Sequence, residues 1–181
     1  TERDAIVREI FETEKTYVDG LRQLSTLYIK PTIARGLIKK DVAVRLFSDI
    51  EIIRNLNEQF LGDLEQEFAR ASKGEDYNDV LVGKVFSQRV QTFRMYVVYV
   101  NHYFVSREII KKQVQSSPEF ANFLRETKEQ LKQQRARNIE IGGFLIEPVQ
   151  RLPRYKLLLD NLVKKTDQSH PDYEALNYSM D

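Results

Sequence analysis

The chain has 181 residues, a length that fits one large domain or two small ones. Its 28 Lys and Arg against 27 Asp and Glu leave a net charge of +1, a balance that argues against a nucleic-acid coat or an acidic solubility tail. Cys is absent, which excludes disulfides, thiolate metal sites and a cysteine nucleophile, and the two His residues, His102 and His170, lie too far apart in sequence to suggest a histidine metal site.

Seven Gly, five Pro and 30% charged residues point to an all-helical protein. A first helical segment over about residues 2–29 is interrupted by Pro31 and Gly36. A second, over 41–71, places Phe47, Ile50, Ile53, Leu56, Phe60, Leu61 and Leu64 at helical spacing. Residues 72–78 read as a loop, and a third segment covers 80–114 with Val82, Phe86, Val90, Phe93, Tyr96, Val97, Val100, Tyr103 and Phe104. Ser116-Ser117-Pro118 stops one helix and starts the next, over 119–136. A short element around 138–147 contains Gly142-Gly143, which matches no phosphate loop and reads as a helix break. A last long helix covers 148–166, and another begins at about 172. Long segments with short connections predict an elongated antiparallel helical bundle. The N-terminus carries no apolar leader, and the longest apolar run, Met95–Val100, is far short of the ~20 residues of a membrane span. The expectation is a cytoplasmic domain, 1–181, cut from a longer protein.

Two helices break their own pattern. On the first, Ile6, Ile10, Tyr17, Leu21, Leu24 and Tyr28 share one arc, Val7, Phe11 and Val18 a second, and Glu14 falls between them. A carboxylate inside an apolar face is costly without a partner. It either pairs with a buried Arg or backbone group, or waits in an open groove for another protein. On the last helix, Val149, Leu152, Tyr155, Leu159, Leu162 and Val163 form the core face, while Ile146, Gln150, Arg154, Leu157 and Asn161 follow one another at steps of three and four on the other side. A mixed stripe over four turns is what a protein interface looks like; the other reading is that a neighbouring helix covers it. Pro153 is expected to kink or loosen this helix.

These residues also carry a family resemblance. Glu12-Thr-Glu-Lys-Thr-Tyr-Val18 with Leu21 and Leu24 resembles the first block of the Dbl-homology domain. The run Phe144-Leu-Ile-Glu-Pro-Val-Gln-Arg-Leu-Pro-Arg-Tyr-Lys-Leu-Leu-Leu159 resembles its third block, with Leu46–Glu51, Asn57, Phe60, Tyr96, Tyr99, Asn101, Phe120 and Phe123 fitting between. The resemblance implies an elongated helical bundle that binds a Rho-family small GTPase, displaces its switch loops and promotes GDP release, with no covalent chemistry and no cofactor or metal of its own. It implies that Glu14 engages switch I, that Gln150 and Arg154 face switch II, and that Ile146, Leu157 and Asn161 belong to the same GTPase-binding set. Arg stands where the family often has Lys, which re-aims that contact. A further family Asn would fall beyond Asp181, as would the pleckstrin-homology domain that usually follows and recruits such proteins to membranes. The alternative function is a silent module that binds a GTPase or scaffold without exchange. Arg151 reads equally as an ion pair to a neighbouring helix or as a partner contact. Lys128–Arg137 reads as a solvated basic face, with lipid or intramolecular contact as the other reading.

Overall fold

The computed structural model describes all residues, Thr1–Asp181, and they are helical with no strand, only a lone bridge between Lys73 and Asp76. In chain order the helices are α1 (Glu2–Leu24), a π-helical turn (Ser25–Ile29), α2 (Lys30–Ala34), α3 (Lys40–Ala71), α4 (Val82–Arg89), α5 (Arg94–Ser116), α6 (Pro118–Gln133), α7 (Ile141–Leu145), α8 (Glu147–Lys164) and α9 (Tyr173–Met180). No helix is long and apolar enough to cross a membrane. The chain forms two compact units, one of residues 1–18, 55–94 and 150–181, the other of residues 19–54 and 95–149.

The first unit is built on an aromatic cluster. Phe60 of α3 packs its ring 4.7 Å from Phe86 of α4 and 5.5 Å from Phe93, and Tyr155 of α8 closes the group at 5.6 Å from Phe86 and 5.4 Å from Phe93. Such tilted and edge-on pairs add to simple area burial. Val7, Ile10, Leu64, Leu158 and Leu162 complete this core. The loop after α3 is held by Arg3, which donates to the carbonyls of Tyr77 and Val80. Asp172, buried just before α9, accepts from the amides of Gly83 and Lys84 at 2.6 and 2.9 Å. Burial pushes its carboxyl up, and those two amides pull it back. A carboxylate on the orphan amides of a helix start satisfies groups that have no intrahelical partner. Here α4 borrows that carboxylate from a residue 89 positions beyond Gly83. The approach is close: a Cβ at Gly83 would lie 2.7 Å from the backbone nitrogen of Leu176.

The second unit centres on Tyr28, whose ring lies 5.9 Å from Phe144 and 6.2 Å from Phe123 and whose hydroxyl donates to the Ile139 carbonyl at 2.5 Å. Tyr99 of α5 does the same to the Leu145 carbonyl. Ser117 caps α6, its hydroxyl accepting from the Phe120 amide at 3.2 Å, with Pro118 at the first helical position.

Three elements differ from the sequence reading. Pro31 does not interrupt the first segment; it opens α2, where a missing N–H costs nothing, and Gly36 at φ 61° ends the run. The segment 80–114 is two helices, α4 and α5, separated by residues 90–93. There the Thr92 hydroxyl donates to the Arg89 carbonyl at 2.6 Å, a side-chain bond that competes with the helix ladder, while the Phe93 ring enters the aromatic cluster. Gly142-Gly143 lies within a short helix, α7. Pro153 sits inside α8.

Candidate functional site

Helix α8 carries two opposed sets of side chains in the first unit. Its inner face buries Arg151, Tyr155, Leu158, Leu159 and Leu162. Its outer face leaves Gln150, Arg154, Leu157 and Asn161 exposed. These four follow at steps of four, three and four, one row along the helix. An amide, a guanidinium, an aliphatic and an amide in line offer directional bonds around one apolar contact. Ile146, expected in the same set, lies before α8 at the end of α7; it is half-buried and belongs to the second unit.

Glu14 is not at the surface. It has no exposed area, and both carboxylate oxygens are engaged from within. Tyr155 Oη stands 2.5 and 2.7 Å from Oε1 and Oε2, Asn57 Nδ2 donates to Oε1 at 2.9 Å, and Arg151 Nη2 donates to Oε2 at 3.3 Å. Asn57 Nδ2 also lies 2.8 Å from Tyr155 Oη, so amide, phenol and carboxylate form a closed triangle. Arg151 spans the cluster: Nη1 donates to Thr13 Oγ1 at 3.0 Å, and the guanidinium lies 4.4 Å over the Tyr155 ring and 5.4 Å from that of Tyr17. Of the two readings of Arg151, the ion pair to a neighbouring helix is the observed one. Burial pushes the Glu14 carboxyl up, and the Arg151 charge with the Tyr155 and Asn57 bonds pulls it back. Burial opposes the charge on Arg151, while Tyr155 and Glu14 sustain it.

The carboxylate that does reach the surface beside α8 is Glu9. It is half-buried and pairs with Arg154 Nη2. On the helical period of α1, Glu9 falls on the polar side, where nothing in its own helix marks it as a site. The available signal was a double row, with Glu9 and Thr13 one turn apart on α1 meeting Arg154 and Arg151 three residues apart on α8. The surface thus shows a paired acid and base beside two free amides and a leucine. No group of three or more His, Asp or Glu side chains has metal-holding geometry. The basic stretch is partly paired, Lys128 with Glu140 and Arg137 with Glu147.

A model of the RhoGEF domain matches residues 6–181. The guanine exchange factor for Rac 30 of Dictyostelium discoideum is 34% identical over 98% of this chain and 10% of its own length. Pleckstrin homology domain-containing family G member 3 of Mus musculus is 34% identical over 97% of the chain and 12% of its own length. The chain thus spans about a tenth of the curated relatives it matches. Among solved structures, the Vav1 exchange factor with its PH and C1 domains superposes with a TM-score of 0.80 at 25% identity, covering 99% of this chain and 46% of that one. The DH/PH domains of PDZ-RhoGEF, solved in complex with activated RhoA, give a TM-score of 0.81 at 18% identity, over 99% of this chain and 50% of that one; that likeness is one of fold.

Proposed function

The chain belongs to the RhoGEF domain family, and on that premise we propose that it binds a Rho-family small GTPase through the outer row of α8 and accelerates release of GDP. The observation that supports this reading most is the exposed line of Gln150, Arg154, Leu157 and Asn161, with Glu9 beside Arg154, on a helix locked from behind by buried Arg151 and Tyr155. A rigid helix presenting directional groups is what a docking surface requires.

The mechanism is linkage. A partner that binds the nucleotide-free GTPase more tightly than the loaded form weakens nucleotide binding by the same factor. The GTPase holds Mg²⁺ and phosphates through its switch loops, so a domain that holds those loops displaced favours the empty state. Gln150 and Arg154 face switch II, with Leu157 as the apolar anchor and Asn161 at the end of the row. Glu14 serves this surface from inside, fixing α8 through Tyr155 and Arg151, and Glu9 supplies the acidic group that a partner's donors meet. Exchange in this scheme is catalytic without any covalent step on this chain.

The test is release of a fluorescent GDP analogue from Rho-, Rac- and Cdc-type GTPases in Mg²⁺ buffer, with and without the domain. Faster release from one of them, lost in Arg154→Ala and Gln150→Ala, supports the assignment. Binding to a nucleotide-free GTPase with no acceleration selects the silent module instead. No binding to any GTPase overturns the proposal.

A further inference from the structure

Helix α5 carries large apolar side chains on both sides. Its inner side buries Tyr96, Tyr99 and Tyr103. Its outer side leaves Phe104 68%, Val105 58%, Val97 56% and Val98 37% exposed. Large apolar side chains left together at the surface mark an interaction site.

On that outer side residues seven apart line up in three rows. One central row is Arg94, Asn101 and Glu108; on one flank lie Val97, Phe104 and Lys111, and on the other Val98, Val105 and Lys112. Each flank carries two apolar residues seven apart, which sets them along one line of the helix where a second helix can lie. The row is also self-complementary. Turned end for end about Asn101, Arg94 meets Glu108, Val97 meets Phe104 and Val98 meets Val105. The exposed Arg94 and Glu108 side chains have no ion pair or hydrogen bond within the chain. The reversed pairing gives each an opposite charge and places one Asn against its copy at the centre. A single Asn in such a seam is the device that fixes register, and residue i meeting j while j meets i is the mark of a two-fold contact.

We propose that the outer face of α5 is a self-association surface, on which a second copy of this chain docks antiparallel with Asn101 on the two-fold axis. The contact runs from position 94 to 108, roughly 20 Å of helix. One Phe and three Val per copy fall short of the ~800 Å² per partner of a standard stable interface. The association is therefore weak and reversible.

The absence of native Cys makes the test direct. Facing Cα atoms of two packed helices lie ~4–6 Å apart, within the span of a disulfide. Asn101→Cys, oxidised mildly at about 100 µM to populate a weak dimer, is expected to give a cross-linked dimer in good yield. Val97→Cys alone is expected to give little, because its two copies would sit about 12 Å apart along the axis; mixed with Phe104→Cys it is expected to give the mixed dimer. In sedimentation equilibrium of the cysteine-free chain, Phe104→Glu is expected to abolish the dimer. The proposal fails if Asn101→Cys cross-links no better than Gln66→Cys at an exposed position of α3. It fails equally if Val97→Cys alone cross-links as well as Asn101→Cys, or if the chain stays monomeric while the α5 face binds anionic vesicles.

Discussion

Tyr155 Oη lies 2.5 Å from one oxygen of Glu14 and 2.7 Å from the other, so a phenol on α8 holds an acid on α1 that solvent does not reach. Arg151 and Asn57 complete the contact. The strength of such a cluster lies in its completeness. Removing one member of a buried ion pair leaves the other charge uncompensated, typically at about 3–5 kcal/mol. Glu14→Ala is expected to lose stability in that range, through the orphaned Arg151 guanidinium, and to slow exchange because α8 loses its anchor. Were Glu14 a groove residue reaching for the GTPase, the variant would lose exchange with its fold intact. Urea unfolding of Glu14→Ala decides: a change in stability within about 0.5 kcal/mol, the ordinary range of a surface substitution, returns Glu14 to the interface.

The same carboxylate predicts a pH dependence. Burial raises its pKa above the ordinary 4.5. In the native state it therefore keeps its proton to higher pH than in the unfolded chain. Across the window from 4.5 up to the raised value the native state binds more protons, and its stability falls as pH rises. The favourable contribution is fully present below the unfolded pKa and is lost as pH passes through the folded one. Glu14→Gln cannot titrate. The stability difference, wild type minus Glu14→Gln, is expected to decline with rising pH across the weakly acidic range. Unfolding free energies measured at a series of pH values test this, and a flat or rising difference rules out the raised carboxyl.

How much of this was legible in the sequence depends on the range of each interaction. Ser117-Pro118 and Gly36 act locally, through an amide cap, a fixed φ and a left-handed one, and they marked the helix ends. Glu14 stood out because helical period alone places it among apolar residues. Its partners did not, since Asn57 and Tyr155 lie 43 and 141 residues away, and nothing in the spacing says which distant polar groups meet it. The α4–α5 break escaped because Thr92 and Phe93 fit a helical pattern until the Phe93 ring is drawn into the cluster with Phe60 and Tyr155. Glu9 escaped because a surface acid looks alike whether or not a guanidinium faces it.

Arg154 separates binding from folding. Both partners of its pair with Glu9 remain partly exposed, and such pairs add about 0–1 kcal/mol to stability. Arg154→Ala is expected to leave the unfolding free energy within about 0.5 kcal/mol of wild type. A guanidinium buried against a partner is worth far more, about 2–5 kcal/mol. Exchange by this variant is expected to fall by thirtyfold or more, about 2 kcal/mol at 1.4 kcal/mol per tenfold. Arg154→Lys keeps the charge but loses the planar fork, and is expected to recover part of the rate. Equal rates for Arg154→Ala and wild type remove α8 from the GTPase contact.

Gly83 tests the packing of α4 against α9. A methyl group there would sit 2.7 Å from both the Leu176 backbone nitrogen and its side-chain Cγ, and 3.0 Å from the Asp172 carboxylate that caps α4. A flexible side chain could swing away, but the backbone nitrogen cannot without moving α9, and that nitrogen is bonded to the Asp172 carbonyl at 3.0 Å. Overpacking of this kind costs about 1–3 kcal/mol. In an exposed helix interior Gly→Ala usually stabilises, by roughly 0.5–1 kcal/mol, because the unfolded chain loses freedom, so the sign of the effect is diagnostic. Gly83→Ala is expected to lower the melting temperature, with the loss of α9 protection in amide hydrogen exchange exceeding that of α1. Gly62, a helical glycine in α3 with open space where its Cβ would be, is the internal control, and Gly62→Ala is expected to raise the melting temperature. A Gly83→Ala protein as stable as wild type would show that α9 shifts freely and that the Asp172 cap does not depend on this close approach.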